Sequence, residues 1–173
     1  MPPRQATVDG KESIVRYVES LHVTGPGDLC DKVPYGFKQM FEDASCRSWI
    51  LVGNGCIPDN LGKQIDRYDV VIRCNRWRDY GNASGTKCDV LFLNGRSRKF
   101  VLDSREHNCL NIVYERRRRD INFDESLRDD KTCFLQKAIV RKFYSLPDAT
   151  TGFRAMLLLL KLTRRLVIVG FQT

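Results

Sequence analysis

Trp49-Ile50-Leu51-Val52-Gly53-Asn54-Gly55 is an apolar run of strand-forming residues that stops at Gly-Asn-Gly. Short continuous apolar runs bounded by turn residues are the signature of strands buried on both faces. Asp69-Val70-Val71-Ile72-Arg73-Cys74-Asn75-Arg76 repeats the pattern, and Cys88-Asp89-Val90-Leu91-Phe92-Leu93-Asn94-Gly95 repeats it again. Each run delivers an asparagine at its C-terminal end. In open α/β sheets ligands bind outside that end of the strands. Asn54, Asn75 and Asn94 would therefore form a row of amides along the binding edge. An amide donates and accepts at once. It can hold phosphate oxygens, ribose hydroxyls or a pyrimidine edge without adding charge. The pattern is neither a Walker loop nor a dinucleotide GxGxxG.

Working outward, Lys11 to Leu21 carries apolar residues at Ile14, Val15, Val18 and Leu21, a helical spacing. Thr24-Gly25-Pro26-Gly27 breaks it. Tyr35 to Phe41 reads as a short helix with Phe37, Met40 and Phe41 on one face. Strands are expected at 48–53, 69–74, 88–93, 110–114 and 166–171. Asp59 would cap a short helix reaching Asp66. Helices are also expected over 98–107 and 131–144, the latter with Phe134, Leu135, Ala138 and Ile139 apolar. Thr150 or Thr151 opens a strongly apolar helix through Leu162, apolar all round at Leu157 to Leu160 and so read as buried or packed on two sides. Residues 1–8 read as a loose tail. Strands alternating with helices predict an α/β, Rossmann-like, mostly parallel sheet with helices on both faces. No repeat or linker divides the chain, so residues 1–173 read as one domain.

The net charge of +8 favours an anionic ligand without naming one. Arg116-Arg117-Arg118-Arg119 is the sharpest basic cluster and reads best as a solvated loop. A nucleic-acid adaptor is the weakest reading, because aromatics do not interleave with the basic residues. The seven cysteines are odd in number and show no CxxC spacing, which argues against structural zinc and for buried, reduced thiols in a cytoplasmic chain. Met1 to Gly10 has no apolar signal-peptide core, and no apolar stretch is long enough to be a transmembrane segment. The sequon Asn82-Ala83-Ser84 would matter only in a secreted chain.

Gly53-Asn54-Gly55 reads equally as a phosphate-facing turn and as a plain strand-to-helix turn. Arg73 and Arg76 could neutralise an anion, and Arg73 could instead pair with Asp66 or Asp69. Asn94-Gly95 could be a simple strand-end turn. In Leu146-Pro147-Asp148-Ala149-Thr150-Thr151-Gly152-Phe153, threonine hydroxyls and free amides meet a helix N-terminus, an anion site that ordinary capping does not exclude. Candidate bases are few. His22 closes the first helix as a surface cation, and His107 is the only other imidazole. No metal site and no cofactor are expected.

Together these segments resemble the sialyltransferases. Cys46 to Gly95 is similar to that family's large sialyl motif: a strand into Gly-Asn, then Gln64-Ile65-Asp66, Tyr68-Asp69-Val70-Val71-Ile72-Arg73-Cys74-Asn75-Arg76 and Gly85-Thr86-Lys87-Cys88-Asp89-Val90. Leu146 to Phe171 is similar to the small motif, with Thr150-Thr151-Gly152-Phe153 where Ser-Thr-Gly-Phe is usual. The resemblance implies a metal-independent, inverting glycosyltransferase using a CMP-sialic acid donor or related nucleotide sugar and a glycan or glycoconjugate acceptor. Gly53, Asn54, Gly55, Asn75, Asn94, Thr150, Thr151 and Gly152 would bind the donor. The alternative is a non-catalytic CMP- or sugar-binding module that lost its base. In the family the catalytic histidine follows the small motif, and the sequence ends at Thr173 before such a segment, leaving His107 as a weak candidate. The resemblance also implies a disulfide between the two motifs. Cys46 matches one partner, but Thr163 stands at the other, so that bridge is not expected. A Golgi lumenal location would apply if an N-terminal anchor had been removed.

Overall fold

The computed structural model of the protein describes residues 8–30, 33–42, 44, 46–57, 60–75, 83–94, 108–114, 129–146 and 148–171. The apolar runs form strands β1 (Trp49–Val52), β2 (Val70–Cys74), β3 (Val90–Asn94), β4 (Leu110–Tyr114), β5 (Thr132–Phe134) and β6 (Leu166–Val169). They make one six-stranded sheet in the order β5-β4-β3-β2-β1-β6. All five pairings are parallel. The chain builds outward from β1 to β5 and then returns to the far side of β1. The order of strands therefore reverses at β1, and the crevice of such a sheet opens at that reversal.

Period-2 alternation divides the sheet residues between its two faces, where they join three apolar clusters, one of them formed by Leu91, Leu93, Cys109 and Val113. Trp49, Leu51, Ile72, Phe92, Ile112 and Tyr114 face a large core shared with the main helices. Ile50, Val52 and Val71 face the other side, against Ile65. Helix α1 (Val8–Ser20), α2 (Tyr35–Glu42), α4 (Lys137–Tyr144) and α5 (Thr151–Leu162) flank the first core, and the short α3 (Gly62–Ile65) flanks the second. Helices thus lie on both faces, as expected. On α2, Phe37 and Phe41 are one helical turn apart, and the Phe41 ring stacks on Trp49 at 4.8 Å between centroids. Helix α1 departs from its expected inner face: Ile14 and Val15 are 40% and 55% exposed, while Tyr17 and Val18 pack inward.

Three further expectations are corrected. A continuous helix over 131–144 is replaced by β5 followed by α4, because Asn111, Ile112 and Val113 of β4 offer Thr132, Cys133 and Phe134 a parallel partner. Ala138 of α4 is exposed, whereas Ile139, Val140 and Phe143 are buried. Helix α3 begins at Gly62 with no side-chain cap, and Asp59 lies outside the described residues. The all-reduced thiol expectation is overturned by a disulfide between Cys30 and Cys133, with Cα atoms 6.0 Å apart across a sequence separation of 103. Spacing could not reveal it, since only the sheet brings β5 beside the turn before α2. Cys56, Cys74 and Cys88 are free thiols, and Thr163 donates its hydroxyl to the Leu159 carbonyl. The segments 98–107 and 116–119 and the sequon residue Asn82 fall outside the described residues.

Several residues of the large motif act as scaffold. Asp66 accepts hydrogen bonds from the backbone N–H groups of Thr86 and Lys87. Asp89 accepts from the Val71 N–H at 2.7 Å and pairs with Lys87 at 3.4 Å. Asp69 accepts from both the N–H and the hydroxyl of Ser48, each at 2.7 Å, which sets β2 against β1. These Ser48 bonds hold the Asp69 carboxyl below the usual carboxylate range, with smaller help from Lys87 and Arg47. A carboxyl depressed in the folded state stabilises above its unfolded value of about pH 4 and loses that contribution as pH falls through its folded value. Urea midpoints measured from pH 6 to pH 2 should therefore fall less steeply in Asp69→Asn than in the wild type. Identical acid slopes would show that the Ser48 contact contributes nothing.

Candidate functional site at the strand ends

The C-terminal ends of β1 to β4 bring the expected amides together. Asn75 adopts a left-handed conformation with φ of 51°, a region asparagine tolerates better than most residues. That turn aims its Oδ1 at the next strand, where it accepts from the Asn94 N–H at 3.1 Å. The Asn75 N–H donates to the Phe92 carbonyl at 2.9 Å. Asn54 donates its Nδ2 to the Cys74 carbonyl at 3.0 Å. Asn94 donates weakly to Thr151 Oγ1 at 3.4 Å, which carries the row onto the first turn of α5. Asn94 is thus tied to the neighbouring strand and to α5, more than a plain strand-end turn requires.

At α5 the capping reading holds. Thr150 is the N-cap, and its hydroxyl accepts from the Phe153 N–H at 3.2 Å. The N–H groups of Thr151 and Gly152 have no acceptor among the described residues. They lie at the positive end of a twelve-residue helix, where an anion is favoured. Thr151 is buried, and its Oγ1 lies 3.0 Å from Tyr114 Oη at the end of β4. A Cβ added to Gly152 would come within 2.3 Å of the Phe171 ring, so glycine lets that ring lie against the helix start.

Gly53 and Gly55 are corrected in part. Their N–H groups donate to the carbonyls of Val169 and Gly170, both at 2.8 Å, so they extend the β1–β6 pairing and are not offered to a phosphate. A Cβ on Gly53 would lie 2.3 Å from the Gly170 carbonyl oxygen, which explains why this close approach takes glycine. Both glycines, with Asn54, Ile57, Arg73 and Ser84, line a cleft of about 240 Å³. Arg73 is buried and donates to the Lys87 and Ser84 carbonyls. Its neighbour Cys74 is a core thiol, pushed up to about 12 by burial, which removes it as a nucleophile at neutral pH. His22 is exposed beyond the end of α1, and His107 and Arg76 lie outside the described residues. Among the described residues no cluster of three or more His, Cys, Asp or Glu could hold a metal ion.

Sequence reasoning missed Tyr114 and Arg154. Arg154 is 4% exposed, donates to Tyr114 Oη at 3.1 Å and to the Leu146 carbonyl at 2.8 Å, and lies 5.3 Å from the Tyr114 ring centroid. The available signal was one arginine in the otherwise uncharged stretch from Ala149 to Leu160.

The model of glycosyltransferase family 29 (sialyltransferase) matches residues 11–126. The chain belongs to this family. The matched span holds the large sialyl motif, while the small motif at Thr150–Gly152 lies beyond it. Two solved structures share the fold of this family 29 chain. A mammalian sialyltransferase is 16% identical, with 98% of this chain and 67% of that one covered and a TM-score of 0.57. A mammalian sialyltransferase in complex with Gal-beta-1-3GalNAc-ortho-nitrophenol is 17% identical, with 98% and 68% covered and a TM-score of 0.60. No curated protein matches the chain. No described helix is long and apolar enough to cross a membrane.

Proposed function

We propose that this family 29 protein binds a CMP-sialic acid donor or a related nucleotide sugar and transfers the sugar to a glycan acceptor with inversion. One observation carries the reading: Asn54, Asn75, Asn94 and Thr151 meet at the strand ends beside the unpaired N–H groups of Thr151 and Gly152. Neutral amides suit ribose hydroxyls and a pyrimidine edge, and the helix start suits the phosphate or the donor carboxylate. In the transfer, an acceptor oxygen attacks the anomeric carbon as the bond to the CMP phosphate breaks on the opposite face. Negative charge grows on the departing phosphate, where the α5 N-terminus stabilises it without a metal. A base must take the acceptor proton. Of the two histidines only His22 lies among the described residues, and it is exposed beyond the end of α1. The Cys30–Cys133 disulfide supports an oxidising compartment such as the Golgi lumen over the cytoplasm.

Calorimetric titration with CMP, UMP, AMP and GMP tests the donor assignment. CMP is expected to bind most tightly. Equal binding of all four, or binding of none, would remove the assignment.

A further inference from the structure

Arg154 is a buried cation in an unusual place. It sits in the first turn of α5, where the helix dipole is already positive. Its side chain runs back towards the helix start, as long helical side chains do. Among the described residues no carboxylate meets it: its contacts are Tyr114 Oη, the Leu146 carbonyl and the Tyr114 ring, and its Nε is buried without a partner. Its field reaches Tyr17 on α1. Burial raises that phenol above its ordinary value, while Ser145 and then Arg154 oppose the rise. A buried charge without a counter-charge is costly. An anion seated at the α5 N-terminus would supply the missing partner.

One hydrogen-bond direction in this chain is fixed by chemistry. A guanidinium can only donate. Arg154 Nη1 therefore occupies one lone pair of Tyr114 Oη; across the 3.0 Å contact between Tyr114 Oη and Thr151 Oγ1 either hydroxyl can donate, and donation from the phenol is the direction that an anion beside Thr151 would favour. Asn94 Nδ2 also points a proton at Thr151 Oγ1. In that direction Thr151 Oγ1 accepts twice, and its own proton has no acceptor among the described residues. It becomes a donor presented beside the free N–H groups of the helix start.

We propose that Arg154 is a positioning residue that makes this site select an anionic nucleotide over the uncharged nucleoside, by polarising the Arg154–Tyr114–Thr151 chain so that Thr151 donates to the ligand's phosphate or carboxylate. The inference rests on the donor reading above and adds the source of its charge selectivity. It also explains why an aromatic hydroxyl ends β4, one strand beyond the last asparagine.

The test compares CMP with cytidine, by calorimetry, on the whole chain and on Arg154→Met, Arg154→Lys and Tyr114→Phe, each checked for a cooperative melt. The ratio of CMP to cytidine affinity should fall roughly tenfold in Arg154→Met, since a unit charge at this range in a partly buried site is worth about that factor. Cytidine affinity itself should hold. Arg154→Lys should keep most of the ratio. Tyr114→Phe retains the packed ring and loses only the hydroxyl, so it should lower the ratio several-fold even if Arg154→Met fails to fold. An unchanged ratio in the folded variants, or equal loss of CMP and cytidine, would overturn the proposal and leave Arg154 as a brace for Leu146. If the wild type bound CMP normally in that case, the donor reading would stand without it. A wild type that bound neither compound would overturn both.

Discussion

Asn75→Ala is expected to weaken CMP binding ten- to a hundredfold. A hydrogen bond from a buried side chain to a charged ligand contributes about 1.5–3 kcal/mol, which converts to roughly that range in affinity. Asn75 stands at the centre of the amide row, bonded to β3 through both its backbone and its Oδ1, while its Nδ2 has no partner among the described residues. The alanine variant carries a second effect, because the left-handed backbone at φ of 51° costs a Cβ-bearing residue about 1 kcal/mol. Asn75→Gly separates the two: it accepts the backbone angle and still lacks the amide. Both variants should melt cooperatively and both should bind CMP weakly in calorimetry. Normal affinity in the glycine variant would show that the amide serves the β2–β3 turn alone. Loss of the cooperative melt in both would make Asn75 a folding residue.

The Cys30→Ala, Cys133→Ala double variant is expected to lose about 2–5 kcal/mol of stability. The bridge closes a loop that contains α2 and the first four strands, with a sequence separation of 103. Long loops gain the most from closure in the chain-entropy account. The native contact is reinforced at the same place by the Gln136 N–H, which donates to the Leu29 carbonyl at 2.8 Å. Urea unfolding of the oxidised wild type against the double variant measures the loss. Equal midpoints, or two alkylatable thiols at Cys30 and Cys133 in protein purified without reductant, would contradict the bridge. Because Asn54, Asn75 and Thr151 lie at the other strands and at α5, the folded double variant should still bind CMP.

The runs around Trp49, Val70, Val90 and Leu110 determined the parallel sheet on their own, because a strand buried on both faces has no polar alternative to being continuous and apolar, whereas the apolar run at Leu166 forms an edge strand with Val167 and Ile168 exposed. The same runs placed Asn54, Asn75 and Asn94, since a strand that ends on an asparagine leaves it at the sheet edge wherever the strand lies. Thr150 announced the start of α5 through cap chemistry that needs no tertiary partner. Other features were decided by distant neighbours. The short strand Thr132–Phe134 exists because β4 offers an edge, and local propensity over three residues cannot outweigh a longer helical pattern around it. The pairing of Cys30 with Cys133 depends on where the sheet sets two segments far apart in the chain. The glycines of Gly53-Asn54-Gly55 look like a phosphate cradle by composition, yet β6 claims their N–H groups once it returns to the far side of β1. Arg73 finds the carbonyls of Lys87 and Ser84 for the same kind of reason. Arg154 reads as one charge in an apolar helix until the fold places Tyr114 against it and gives that charge a direction. Local patterning fixes what depends on one segment's burial and termini, whereas hydrogen-bond partners, disulfides and buried charges depend on which segments meet, and only the tertiary structure decides that.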